Sequence, residues 1–295
     1  MILSYITWKV DPEIFNLFGI SLRYYGLLFV GGLLTCIFVL SKVYNREGIP
    51  KEYLEKLSVY GAIGVFVGAR LGHCLFYEPI YYLTHIAEML LPITQLSDGS
   101  YKFIGYQGLA SHGGAIGLII AIIIYARKTK ESTLKTIDMM GIVAPLAGFF
   151  IRMANLMNSE IIGIQTNVPW AFIFLREDNI PRHPTQLYEA LCYLSFFFIL
   201  LTLYWKKGVK LQTGIIFGAS ITLIFIARFL IEFIKEVQVG FERNMSLDMG
   251  QILSLPFILT GIGFVIFGIY RTKKGVIPAS TQQSSTRREK RNRKR

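Results

Sequence analysis

Seven stretches of this chain, at about 20–40, 57–77, 107–126, 137–157, 187–205, 213–235 and 250–271, are apolar almost without interruption. Each is close to the length, about twenty residues, that crosses the hydrocarbon of a bilayer as an α-helix. Backbone N–H and C=O groups find no water there, so a spanning segment satisfies them within itself, and a helix does so. A helix of a soluble domain would instead keep its apolar residues to one face. With 53% hydrophobic residues and a mean hydropathy of +0.46, the chain reads as an all-α integral membrane protein with seven transmembrane helices. The start, "MILSYITWKV", lacks the basic opening and small-residue cleavage site of a signal peptide.

Charge placement orients the spans. The connections 42–56, 127–135 and 206–210 and the tail from Arg271 hold 21 of the 31 Lys and Arg residues. The alternate connections hold only Lys102, Arg176, Arg182 and Arg243. Positive charge is retained on the cytoplasmic side, so the N-terminus is expected outside and the C-terminus in the cytoplasm. The net charge of +12 is largely this bias together with "RREKRNRKR" at the end. That tail reads as a segment beside an anionic inner leaflet rather than a nucleic-acid site. The expected organisation is a seven-helix transmembrane domain over 1–271 and a basic, disordered cytoplasmic tail over 272–295. Within the first, "NVPW" and "PRHPTQ" are turn-rich and predict a small ordered extracytoplasmic cap over about 159–186. Residues 80–91, "IYYLTHIAEMLL", are too short to span and predict an interfacial segment on the outer leaflet.

Cys36, Cys74 and Cys192 lie inside apolar runs and read as buried structural thiols. His73, His85, His112 and His183 show no ligand spacing, so no metal site is expected.

Orientation converts position into depth. Arg23, Tyr24 and Tyr25 fall at the outer end of the first run, Arg70 in the outer half of the second, and His112 about two turns inside the third. Arg152 and Asn155 end the fourth, with Asn158 and Glu160 just beyond, while Arg228, Glu232 and Lys235 occupy the last turns of the sixth. Each charge within a bilayer costs at least about 2.5–3.5 kcal/mol on insertion scales, so several imply pairing or a wet cavity. Arg228 and Glu232 are spaced i,i+4 and predict an ion pair. A single arginine near a helix end can snorkel to the headgroups, but five helices delivering polar groups to one side predict a shared cationic cavity. "GVFVGARLG" and "HGGAIG" space Gly64, Gly68, Gly72, Gly113 and Gly117 by four, the pattern of closely packed membrane helices. The N-terminus of the third run adds a helix dipole that favours an anion. Arginine holds phosphate bidentately and a near-neutral imidazole is the usual general base. These residues therefore predict a phospholipid-binding site with a group suited to acid–base chemistry.

At these positions the chain resembles the bacterial prolipoprotein diacylglyceryl transferases. The likeness lies in "RYYG" (23–26), "GARLGHCLFY" (68–77), "SHGGAIG" (111–117), "RMANLMNSEIIG" (152–163), "RHPTQLYEA" (182–190), "ARFLIEFIK" (227–235) and "MGQILSLP" (249–256), in that order. Ile151, Ala154 and Ser159 stand where glycines are frequent, Thr185 stands for a serine, and Lys235 stands for an arginine, which keeps the charge and loses the planar fork. The resemblance implies a bacterial inner-membrane enzyme that transfers the sn-1,2-diacylglyceryl group of phosphatidylglycerol to the lipobox cysteine of a prolipoprotein signal peptide, releasing glycerol phosphate. It implies no cofactor. His112 is the candidate base for the thiol, with Glu232 or Glu160 as the alternative. Arg152 and Arg228 are the candidates to hold the phosphate, and Tyr25, Asn155, Glu160, Gly163 and Lys235 complete the expected lipid-binding set.

Two other classes are weaker fits. A transporter or binding protein for an anionic lipid or solute would be expected to show repeats and broken helices near mid-membrane. An intramembrane protease would need a Ser–His pair or two aspartates, whereas Asp138 stands alone.

Overall fold

This computed structural model describes residues 5–17, 20–91, 93–96, 99–103, 108, 110–207, 213–237 and 245–274. Its helices are α1 (Tyr24–Arg46), α2 (Lys51–Phe76), α3 (Pro79–Thr84), α4 (Ile86–Leu90), α5 (Ser111–Thr129), α6 (Thr133–Met157), α7 (Thr185–Lys207), α8 (Ile215–Glu232) and α9 (Met249–Lys273). Short strands lie between them: β1 (Ile6–Trp8), β2 (Glu13–Leu17), β3 (Ile20–Arg23), β4 (Ile93–Gln95), β5 (Tyr101–Phe103), β6 (Phe172–Phe174) and β7 (Pro181–Arg182).

Six helices, α1, α2 and α6 to α9, are long and apolar enough to cross a membrane, which is the signature of an integral membrane protein. The remaining apolar run, expected at 107–126, becomes α5, displaced toward the C-terminus. Ser111 and His112 open it and Arg127 and Lys128 close it, so its polar ends dilute its apolar centre. Residues 80–91 form α3 and α4, each too short to span. The predicted tail lies, from 275 onward, outside the described residues.

The described residues form two compact units, one of residues 1–47 and 137–295, the other Gly48–Thr136. In the second, α2 and α5 meet through the glycines whose spacing is visible in the sequence. A Cβ on Gly64 would lie 2.6 Å from the Gly117 carbonyl oxygen, and one on Gly72 would lie 2.7 Å from Gly113 Cα. Only residues without side chains allow these backbones so close, and the gain is dispersion contact along the whole seam.

Arg70 departs from expectation. It is buried, and its guanidinium donates to the backbone carbonyls of Glu88 (2.5 Å), Met89 (3.2 Å) and Gly108 (3.4 Å), over the Tyr82 ring at 4.9 Å. It therefore fastens α4 to α2 instead of opening onto an anion-binding cavity. Glu88 completes the fastening by accepting from Gln95 N–H (2.9 Å) and Tyr81 O–H (2.8 Å). Those donors, the Gln95 amide first, hold its carboxyl below the ordinary carboxylate range.

In the first unit, β1 pairs in parallel with β6, which pairs antiparallel with β7. This small sheet covers a cluster of Leu156, Phe172 and Phe174, with Trp8, Met153, Ile162 and Leu187 packed around it. Trp8 Nε1 donates to the Leu156 carbonyl at 3.0 Å, tying the N-terminal strand to the end of α6. At the other end of α6, Asp138 accepts from the backbone N–H groups of Gly214 (2.6 Å) and Phe217 (2.8 Å). Its carboxylate thus serves the orphan donors at the start of α8, a structural task.

Overpacking the glycine seam is expected to destabilise the protein: Gly68→Leu should cost about 1–3 kcal/mol, read as a lower unfolding midpoint of the detergent-solubilised chain. Glu88 gives a pH test. A depressed folded-state pKa contributes stability at neutral pH that is lost as pH falls through that pKa. Amide exchange in residues 78–103 should therefore rise below about pH 4, and Glu88→Gln should show the fast exchange already at neutral pH.

Candidate active site

The site is built where α6 ends, α7 begins and α8 ends. Arg152 and Asn155 lie on the last turns of α6, and the chain then turns through 158–164 before pairing twice. Gly163 N–H donates to the His183 carbonyl (2.9 Å), Ile164 N–H to that of Ile234 (3.0 Å), and Glu236 N–H to that of Ile162 (3.0 Å). Gly163 sits at the closest point: a Cβ there would lie 2.6 Å from both the Cβ and the carbonyl oxygen of His183. Its absence of a side chain lets the three segments meet. Thr185 Oγ1 donates to the Ile161 carbonyl at 2.7 Å and Gln186 Nε2 donates to that of Glu160. Arg182 clamps the assembly from outside the helices, reaching Asp178 (2.6 Å), Glu236 (2.7 Å) and the Gly163 carbonyl (3.2 Å).

These bonds hold a strained turn. Ser159 and Ile161 both lie at φ +58°, the left-handed region, and a β-branched residue is rarely found there. Two such residues store roughly 1–3 kcal/mol each, which persists only where the surroundings over-determine the conformation. The turn aims Glu160 back at the helix end: its Oε2 accepts from Asn155 Nδ2 and its Oε1 from Asn158 Nδ2, both at 2.9 Å.

Inside this frame runs a chain of charges. Arg152 Nε lies 2.6 Å from Glu189 Oε2, and Arg152 Nη1 donates to Asn155 Oδ1 at 3.1 Å. Glu189 Oε1 accepts from Lys235 Nζ at 3.1 Å, and Lys235 Nζ also donates to Glu232 Oε2 at 2.7 Å. Arg152, Glu189 and Lys235 are all buried, and charges so placed persist only when paired. Tyr193 lies against Arg152 and within electrostatic reach of Arg228, and Tyr25 within reach of Glu160 and Arg152. Arg228 differs from the other two cations. Half-buried on α8, its guanidinium makes no ion pair or hydrogen bond among the described residues.

A family model described as prolipoprotein diacylglyceryl transferase matches residues 12–267. A phosphatidylglycerol–prolipoprotein diacylglyceryl transferase of Bacteroides fragilis is 51% identical over 271 residues, covering 92% of this chain and 97% of the relative. Proteins of the same description are 41% identical in Chloroherpeton thalassium, over 88% of this chain and 92% of the relative, and 41% identical in Porphyromonas gingivalis, over 89% and 94%. The chain belongs to the prolipoprotein diacylglyceryl transferase family. It is a transferase of lipoprotein maturation.

Against that membership, the structure of this prolipoprotein diacylglyceryl transferase family member sorts the expected site residues. Tyr25, Arg152, Asn155, Glu160, Gly163, Arg228, Glu232 and Lys235 all belong to the first unit. His112 belongs to the second, exposed in the first turn of α5. The expected i,i+4 pair of Arg228 with Glu232 is not among the ion pairs of the described residues. Glu232 pairs instead with Lys235, its i,i+3 neighbour, whose ammonium also pairs with buried Glu189. Glu189 itself is absent from the sequence-derived set. The signal was present, since Glu189 is an acid inside an apolar run, and in a membrane such a residue points to function or pairing.

The strained turn supplies a test. Ser159→Gly removes the left-handed penalty and a buried hydroxyl without a hydrogen-bond partner, against some added backbone entropy. The variant is expected to gain about 1 kcal/mol of stability, seen as a higher unfolding midpoint with transfer activity retained.

Proposed function

We propose that this chain transfers the sn-1,2-diacylglyceryl group of phosphatidylglycerol to the sulfur of a prolipoprotein's lipobox cysteine. The observation that carries this reading is the charge arrangement: Arg152 and Lys235 are matched by buried Glu189 and half-buried Glu232, while Arg228 has no ion pair among the described residues and is left for an anion. In the proposed reaction the cysteine thiolate attacks the lipid glycerol carbon that bears the phosphate. A C–S bond forms, the C–O bond breaks, and its electron pair stays on the phosphate oxygen of departing glycerol phosphate. Arg228 meets that developing charge, with Arg152 beside it. Preorganised cations facing a developing oxyanion are usually the largest contribution to such a step. Tyr25 and Asn155 are our candidates to bind headgroup oxygens, Asn155 by exchanging one of its bonds to Arg152 and Glu160 for the ligand. Gly163 takes part through the backbone approach it permits, and Lys235 by linking the two acids.

The thiol, with a reference pKa near 8.5, needs a base at neutral pH. Our candidate is His112, since the carboxylates of Glu160 and Glu232 are already engaged by Asn155, Asn158 and Lys235. The positive-inside bias supports a seven-span arrangement that counts α5 as a span. It puts the N-terminus and the 159–186 cap outside a bacterial inner membrane and the C-terminus in the cytoplasm. The exposed apolar residues of α3 and α4, Ile80, Leu83, Ile86 and Leu90, support an interfacial position for that segment.

The reading is tested by incubating purified protein with phosphatidylglycerol and a lipobox peptide. The peptide should gain the mass of a diacylglyceryl group, and a Cys→Ser peptide should not. Arg228→Ala should nearly abolish the gain, and near-normal thioether formation by that variant would refute its phosphate-holding role. His112→Ala should lower the rate by about 10²–10⁴-fold, the usual contribution of a general base. Wild-type turnover by His112→Asn across the pH range would remove His112 from the mechanism.

A further inference from the structure

Glu189 has no place in the chemistry described so far, yet it is the most completely buried charge in the site. Its carboxylate is divided between two cations from different helical ends: Oε2 lies 2.6 Å from Arg152 Nε, and Oε1 accepts from Lys235 Nζ at 3.1 Å. The Arg152 contact is off the hydrogen-bond axis, so it acts as an ion pair. With Asn155 Oδ1 on Nη1, it fixes the guanidinium at two points, and Tyr193 lies against the same group. Lys235 is then closed by Glu232. Arg152 and Lys235 against Glu189 and Glu232 sum to zero, leaving Arg228 as the uncompensated cation of this cluster among the described residues. Glu160 is exposed, where solvent screens it far more than the buried groups.

We propose that Glu189 is a positioning residue that orients Arg152 and sets the net charge of the anion site at about +1. This rests on the proposed transfer reaction and extends it to specificity and product release. A phosphodiester headgroup carries one negative charge and matches the site. The glycerol phosphate that leaves is a monoester, carries close to two at neutral pH, and is held no more tightly than the departing group requires. Without Glu189 the site would carry an additional positive charge in a medium of low effective dielectric, and the dianionic product would be favoured.

The experiment measures inhibition by added glycerol phosphate, together with kcat and KM, in the phosphatidylglycerol and lipobox-peptide assay. Wild-type transfer is read first, and its absence would sink the reaction on which the inference rests, separately from the inference itself. Glu189→Gln is expected to lower kcat and to tighten inhibition by glycerol phosphate about tenfold. A second change, Lys235→Met, should return the inhibition constant of Glu189→Gln toward the wild-type value. Glu189→Asp keeps the charge and moves it, so it should lower kcat and leave the inhibition constant unchanged. A merely structural Glu189 predicts lower folded yield and lower kcat with no change in product affinity, and that result would overturn the proposal. Should Glu189→Gln fail to fold, Lys235→Met alone decides: product inhibition about tenfold weaker supports the charge balance, and unchanged inhibition refutes it.

Discussion

A carboxylate buried among membrane helices persists only with cations on it, and Glu189 has two. That constraint orders much of the first unit. Arg152 approaches from α6 and Lys235 from the segment after α8, while Glu189 stands on α7. The three elements are thus drawn to one point by charges that would be costly to bury singly. The strained turn at 158–164 and its pairing with 183 and 234–236 close around the same point. The network that joins the elements also leaves Arg228 without an ion pair among the described residues.

The second unit solves a different problem with a different force. Its helices α2 and α5 are held by close backbone approach at glycines, where neither charge nor bulk is required. Arg70 and Glu88 then secure α3, α4 and β4 to that pair, by hydrogen bonds to backbone groups and to the Tyr81 hydroxyl. Arg70 shows why membrane arginines resist functional reading one at a time. Carbonyls left over at helix ends are as good a destination for a guanidinium as a phosphate is.

Much of this was legible in advance. Apolar runs of bilayer length are a property of composition over short windows, and they located every long helix, with ends displaced by up to about six residues at α1 and α2. The glycine spacing named both sides of the α2–α5 seam. Tyr25, Arg152, Asn155, Glu160, Arg228, Glu232 and Lys235 stood out because ionisable and polar groups are conspicuous in apolar surroundings. The small sheet of β1, β6 and β7 was not legible: its strands have two or three residues each, and β1 joins β6 across more than 160 positions of sequence. Ser159, recognisable as an unusual residue at its place, acquired a reason only when its backbone proved left-handed.

The sequence by itself determined that the chain enters a membrane as helices, because hydropathy and the need to satisfy backbone groups act locally. It also determined which polar residues would be forced to find partners. The partnerships were decided by the tertiary structure. Spacing along one helix favours Arg228 with Glu232, but a buried acid arriving from α7 turned Lys235 and Glu232 toward each other and left Arg228 without a partner among the described residues. Electrostatic energy depends on distances between elements, and those distances exist only after the elements have packed.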